Sequence, residues 1–259
     1  MRKAIAKAVL ASTAFVTIGL GVAGSVNAEN VTYTIDPSQS TLTLLGTLTD
    51  NSASQQTAGS LTTSYSGTII ADRTPGRIEF HGGSLLNAAL QASNQQPRED
   101  ATPGSRPADY GRTAPGPFGS TTLEALRDLE LDVFDDTFGT GIPIAGNNTF
   151  ASNSLQLQID NGESDSLFGN TGTEVDLSGK GTSNSNGNGA SSVVVNGSTE
   201  TLTLKFSSGA IGYSISQTGD SSISFTGTIV ATRLVPEPSA VGAVVITGAS
   251  LLARRRRRP

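Results

Sequence analysis

The chain of 259 residues has no cysteine and no tryptophan, one methionine, which is Met1, and one histidine, His81. Each shortage closes a class of chemistry. Without cysteine there are no disulfides, no thiolate nucleophile and no thiolate metal site, so stability must come from packing and strand pairing. A Ser-His-Asp arrangement would have to use His81, and no Gly-x-Ser-x-Gly elbow exists to present a serine. Zinc is nearly excluded, since one histidine and no cysteine leave only carboxylates to complete a site. His81, in "FHGG", reads as a strand-end side chain facing solvent or hydrogen-bonded locally. No P-loop or dinucleotide fingerprint follows any strand pattern.

Aromatic residues are also scarce, four Tyr and nine Phe. Glycoside hydrolysis needs only two carboxylates, and Asp132, Asp135 and Asp136 cluster, as do Asp160, Glu163 and Asp165. Such enzymes also stack sugar rings on aromatic side chains, and here most of those are needed for the core. A carboxylate-based hydrolase is therefore the less favoured reading, no side chain is expected to be catalytic, and the expectation is a protein that is not an enzyme. Calcium is a better use of the acids, because it takes six to eight oxygens from loops of Asp, Asn, Ser and carbonyl groups. "DNGESDS" (160–166) has that ligand density, with Asp160, Glu163 and Asp165 as the candidate ligands, but not the order of an EF-hand loop.

Ser, Thr, Gly and Asn are plentiful, a composition suited to strands and turns and common in exported proteins. The first residues fit export. Arg2, Lys3 and Lys7 precede an apolar stretch relieved by small residues, and Val26-Asn27-Ala28 supplies the small side chains a signal peptidase requires. Residues 1–28 are thus read as a signal peptide, with the mature chain starting at Glu29.

The other end carries "VPEPSAVGAVVITGASLLARRRRRP". Residues 239–253 would span about 22 Å as a helix, against a hydrocarbon core of roughly 30 Å. Arg254, Arg255, Arg256, Arg257 and Arg258 resist crossing and extend the reach by snorkelling, so the body is expected outside, tethered transiently to the inner membrane. Pro236, Glu237 and Pro238 form a stiff, extended, non-helical segment. This order of Val-Pro-Glu-Pro, short apolar helix and arginine cluster resembles the PEP-CTERM sorting signal. The resemblance covers about 24 residues. It implies recognition by an exosortase, an integral-membrane cysteine enzyme that cuts near the Pro-Glu-Pro, and delivery to the surface or extracellular matrix of Gram-negative bacteria that make exopolysaccharide. It implies nothing about the body.

Residues 29–235 hold 9 basic and 21 acidic side chains, a formal −12. Nucleic acid and anionic membrane surfaces are poor partners for such a body. Period-two alternation recurs in 42–44, 65–71, 78–80, 155–159, 175–177 and 223–231. Val193-Val194-Val195, Asn196-Gly197 and 201–206 read as a hairpin with a tight primed turn. Asp160-Asn161-Gly162 reads as another turn. A short helix is expected over 121–128, with Thr121 and Glu124 spaced as a capping box. The fold class expected is all-β, a single antiparallel β-sandwich or barrel-like domain over 29–234, flanked by the signal peptide and by the sorting signal at 235–259.

"SYSGTIIADR" (64–73) matches "SFTGTIVATR" (224–233) at six of ten places, and the same offset sets Thr41-Leu42-Thr43-Leu44 on Thr201-Leu202-Thr203-Leu204. If the repeat is a true duplication, units 31–73 and 191–233 bracket one domain and pack together to close it. Residues 93–120 carry five of the 11 prolines and read as a long irregular loop, and 179–192 as a flexible one. Arg98, Arg106 and Arg112, with Tyr110 and Phe118 nearby, would suit an acidic polysaccharide through guanidinium forks and an aromatic face. Finally, "YTIDPSQS" (33–40) resembles the opening of secreted lipocalin-like barrels that bind polyisoprenoid lipids, although that family's usual histidine is Gln39 here. The functional expectation is a structural or adhesive component of an exopolysaccharide matrix. A lipid- or glycan-binding barrel is the alternative.

Overall fold

The computed structural model describes residues 28–235 apart from 50–55, 89–97, 100, 101, 104–108, 117, 118, 138, 169, 170, 185–188 and 216–218. In chain order the strands are β1 (Glu29–Ile35), β2 (Thr41–Thr49), β3 (Gln56–Thr74), β4 (Arg77–Asn87), β5 (Arg98–Glu99), β6 (Thr102–Pro103), β7 (Tyr110–Gly116) and β8 (Gly119–Asp135). They continue with β9 (Ile142–Pro143), β10 (Thr149–Phe150), β11 (Leu155–Phe168), β12 (Thr171–Asp176), β13 (Lys180–Ser183), β14 (Ser191–Asn196), β15 (Thr199–Ser207), β16 (Ile211–Ile215) and β17 (Gly219–Leu234). The fold is all-β. One large antiparallel sheet takes in every strand but the β5–β6 pair, along the path β10-β14-β15-β17-β1-β3-β4-β8-β11-β12. No helix among the described residues is long and apolar enough to cross a membrane.

Alternation decides which face is covered. In β15, Glu200, Leu202, Leu204 and Phe206 are buried while the threonines between them are partly exposed. In β1 the buried row is Val31, Tyr33 and Ile35. These rows join Leu42, Ile69, Ile78, Leu131, Leu157, Phe225 and others in one contiguous apolar cluster. Apolar burial of this kind stabilises by roughly 25 cal/mol per Å², and it holds the sheet together where cross-links are lacking.

β1 and β2 lie end to end in a single lane between two long strands. Thr34 pairs with Thr68 of β3 on one flank and with Thr232 of β17 on the other, while Thr41 pairs with Ser64 and with Thr228. The chain turns a corner between them at Asp36, whose carboxylate accepts from Ser38 and Gln39. Ser40, fully buried, spans the corner by accepting the Val230 amide and donating to the Val230 carbonyl. Beside the corner sit Gly67 and Gly227, both at positive φ. A Cβ would come 1.8 Å from the Ser84 carbonyl at the first and 2.2 Å from the Thr41 carbonyl at the second, so only glycine fits.

The repeated segments are thus the paired walls of one lane. Their partners differ, however. Leu42 pairs with Thr63 and with Gly227, whereas its counterpart Leu202 pairs with Ala231 and with Val193. Asn196-Gly197 closes the expected tight hairpin between β14 and β15, whereas Asp36 turns a corner inside a lane. The similarity holds for strand faces but not for strand partners.

Four sequence readings change. Residues 121–128 lie inside β8, because that segment is paired along both edges, by β7 and by β11, and tertiary pairing overrides a capping-box pattern. Asp160-Asn161-Gly162 is no turn. It lies within β11 at register shifts against β8, with Gly162 at φ 149°. Part of the proline-rich 93–120 stretch is a strand: β7 pairs only with β8, and Pro115 is tolerated there because an edge strand can lack a donor. Residues 179–192 are not one loop, since β13 pairs with β11 and β14 begins at Ser191.

Candidate functional site

Glu200 is a buried charge on the wall of the core. It occupies the inward row of β15, in phase with three apolar side chains, and is 1 % exposed. Two arginines meet it. Arg73 Nε donates to Oε1 at 3.0 Å and Arg233 Nε to Oε2 at 2.5 Å, and the Tyr33 hydroxyl donates to Oε2 at 3.2 Å. Arg73 and Arg233 are the matching final residues of the two repeated segments, each continuing the inward row of an isoleucine and an alanine. Arg233 also lies over the Tyr33 ring at 5.7 Å and contacts Glu29 at 3.2 Å. Burial works against the Arg233 charge, but the hydrogen bond and the charge of Glu200 hold the guanidinium above its usual range. Burial, reinforced by Glu200, pushes the Tyr33 phenol well above its ordinary value, so it stays a donor. This group is a charge-compensated lock on the β1, β3, β15 and β17 strands. It was missed from the sequence, although a glutamate in phase with Leu202, Leu204 and Phe206 was a readable signal.

The same clamp joins the two ends of the body. Val235 N–H donates to the Ser198 carbonyl at 2.8 Å, and an open groove where β1 and β17 diverge is lined by Glu29, Val31, Thr199, Arg233 and Leu234.

A second group lies on β8, β11 and β12. Glu163, Asp165 and Glu174 bring carboxylate oxygens within 4.8 Å of one another. Register explains this, since Asp165 pairs with Glu174 and Glu163 lies two residues along the same face. The buried Arg127 guanidinium is ion-paired to Asp165, so much of that charge is compensated from within the chain. Of the candidate calcium ligands the fold brings Glu163 and Asp165 together. Asp160 lies elsewhere, exposed and beside Asp132. Burial, with Asp160 and Glu130 nearby, pushes the Asp132 carboxyl up to about 6.

A third group is formed by Asp72 of β3 with Glu79 and His81 of β4. Asp72 pairs directly with Glu79, and His81 follows two residues on, so all three share the outward face. The register shifts just there, Ile70 pairing with Gly82 and Ala71 with Phe80, which leaves His81 as the extra residue of a β-bulge. The Phe80 amide donates to Asp135 Oδ2 at 2.5 Å, and Asp135 is itself held by the Thr137 amide and hydroxyl. His81 Nε2 sits 3.3 Å from Asp72 Oδ2, and Asn30 Nδ2 donates to Asp72 Oδ1 at 3.0 Å. Ligand atoms of the three residues lie within 4.8 Å of one another. The sequence signal was Glu79-x-His81 at strand spacing. The third member came only from cross-strand pairing.

Of the glycan-binding candidates, the structure describes the side chain of Tyr110 alone. Tyr110 is 1 % exposed and packs in the core, so it offers no ring to a ligand. Nearby, burial pushes the Asp109 carboxyl up to about 6, although it accepts the Leu129 amide. Arg98 and Arg112 belong to β5 and β7. Arg106, the Pro236-Glu237-Pro238 motif and Arg254 to Arg258 lie outside the described residues. Comparison with known proteins finds no matching family model, no matching curated protein and no matching solved structure.

Proposed function

We propose that this chain is an exported surface protein whose tail is processed by an exosortase, and that its body is a structural or adhesive component of an exopolysaccharide matrix. The observation that carries the reading is the order of Pro236-Glu237-Pro238, apolar run and arginine cluster behind an export leader. Two features of the body support it. The first and last strands of the body pair with each other, and Glu29 is ion-paired to Arg233, so leader and tail would leave from one rim and the rest of the surface would stay free of the tether. The body is also an all-β fold locked by buried ion pairs instead of disulfides, a stable form for a protein without cysteine.

The body is further proposed to be barrel-like. β13 pairs with β11, and the next residue, Asn184, bridges Ser208 just past the end of β15, with the Ser207 amide donating to Asn184 Oδ1 at 3.2 Å. That link would bring the far side of the sheet path back to its beginning. A lipid- or glycan-binding barrel would need room inside such a ring, whereas the inward side chains pack against one another as a single cluster.

The test is expression in an exopolysaccharide-forming host with and without its exosortase. The expected result is surface material that ends near Pro236-Glu237-Pro238 and lacks the arginines, lost when the exosortase is deleted. Recovery of the intact polypeptide, terminal arginines included, from the cell-surface fraction would overturn the processing. Normal processing with no retention in the matrix fraction would overturn the structural role alone.

A further inference from the structure

We infer that Asp72, Glu79 and His81 form a surface site for a divalent transition-metal ion of the zinc class. Counting residue types argued against such a site, because one histidine is too few for the usual sets. The fold changes the count by placing that histidine beside two carboxylates from a directly paired strand position.

The donor chemistry selects the metal. One imidazole nitrogen suits zinc, copper or nickel, whereas calcium and magnesium take oxygen ligands almost exclusively. Two carboxylates neutralise the ion's charge, and three protein ligands leave a position for water. Geometry agrees. Ligand bonds of about 2.0–2.1 Å to a tetrahedral ion put neighbouring donor atoms roughly 3.3 Å apart. His81 Nε2 and Asp72 Oδ2 already stand 3.3 Å apart. Glu79, with its flexible side chain on the same face, has at most about 1.5 Å to close from the 4.8 Å limit.

The surroundings hold the ligands. Asn30, on the neighbouring β1, bonds the Asp72 oxygen that does not face His81, as a positioning contact behind a metal ligand commonly does. The bulge that leaves His81 unpaired toward β3, while it pairs with Phe134 of β8, is pinned by Asp135. Bulges of this kind re-aim a side chain at the cost of a ladder pairing. Such a site on an exported chain would staple β3 to β4 from outside the core and leave the ion's open side toward solvent. It stands independently of the export reading.

The experiment uses the full-length chain, purified without a polyhistidine tag and stripped with chelator, titrated with zinc chloride by calorimetry. The ring nitrogens of His81 are followed by NMR in parallel, and the chain's single histidine makes that signal unambiguous. One saturable equivalent is expected, with a shift of the Nε2 resonance and no competition from excess calcium. Zinc binding should be lost in His81→Gln, binding and the His81 shift together should be lost in Asp72→Asn, and binding should weaken about tenfold in Asn30→Ala. All three positions are at the surface, and circular dichroism of each variant establishes that it is folded. No movement of the His81 ring signals up to millimolar zinc would overturn the inference, as would undiminished binding by folded His81→Gln.

Discussion

Replacing Glu200 by Gln would leave the side-chain volume unchanged but strip the counter-charge from two guanidinium groups. Arg73 and Arg233 are 12 % and 10 % exposed and Glu200 is 1 % exposed, so little solvent is at hand to take over. Breaking a buried ion pair by removing one partner costs about 3–5 kcal/mol, mostly because the remaining charge is stranded. Here two charges are stranded, but each keeps slight access to water and Arg233 keeps Glu29 at 3.2 Å. These offsets place the expected loss at the lower end, about 3 kcal/mol. For a body of this size that corresponds to a fall in midpoint temperature of roughly 6–12 °C. The assay is urea unfolding and a thermal scan of the two proteins side by side. Arg73→Met should cost less, about 1–2 kcal/mol, since Glu200 keeps Arg233, and a double-mutant cycle should return a coupling of at least about 1 kcal/mol. A Glu200→Gln protein within about 0.5 kcal/mol of the parent would refute the reasoning, because the three side chains would then be sharing a site without depending on one another.

Gly227→Ala and Gly67→Ala each drive a Cβ into a carbonyl at a positive φ, and each is expected to destabilise by at least about 2 kcal/mol in urea unfolding. Ser40→Ala strips the Val230 amide of its buried acceptor, while the Val230 carbonyl keeps the Asp36 amide at 2.8 Å, for an expected loss of about 1–3 kcal/mol. Asp109 and Asp132 have folded values of about 6, above the ordinary 3.8, so the native state binds the extra protons. Their contribution to stability is therefore full below pH 4 and lost as pH rises to 6, the reverse of Asp36 and Asp176, whose values are lowered by hydrogen bonds from Ser38 and Ser178. Asp132→Asn should flatten the fall between pH 4 and 6 in a pH series of unfolding curves, and an unchanged slope would count against it.

Local pattern was enough for the class of the fold. Alternation in 42–44, 65–71 and 223–231 exposed one face of each strand and hid the other, because a strand's side chains point to opposite sides by covalent geometry alone. The Asn196-Gly197 hairpin was legible for the same reason, since its backbone conformation is a property of two residues. Shortage of cysteine and histidine, and the cationic tail, were likewise statements about the chain itself. Partner choice was not. Residues 121–128 look helical in isolation and became a strand because β7 and β11 satisfy both of its edges. Tyr110 looked like a ligand platform and went into the core with its strand. The sites follow the same rule. Glu200 meets Tyr33 across 167 positions of sequence, and Asp72 meets His81 only through one register and one bulge. Register is decided by the packing of all the rows at once, so chemistry that depends on it appears only when the sheet is assembled.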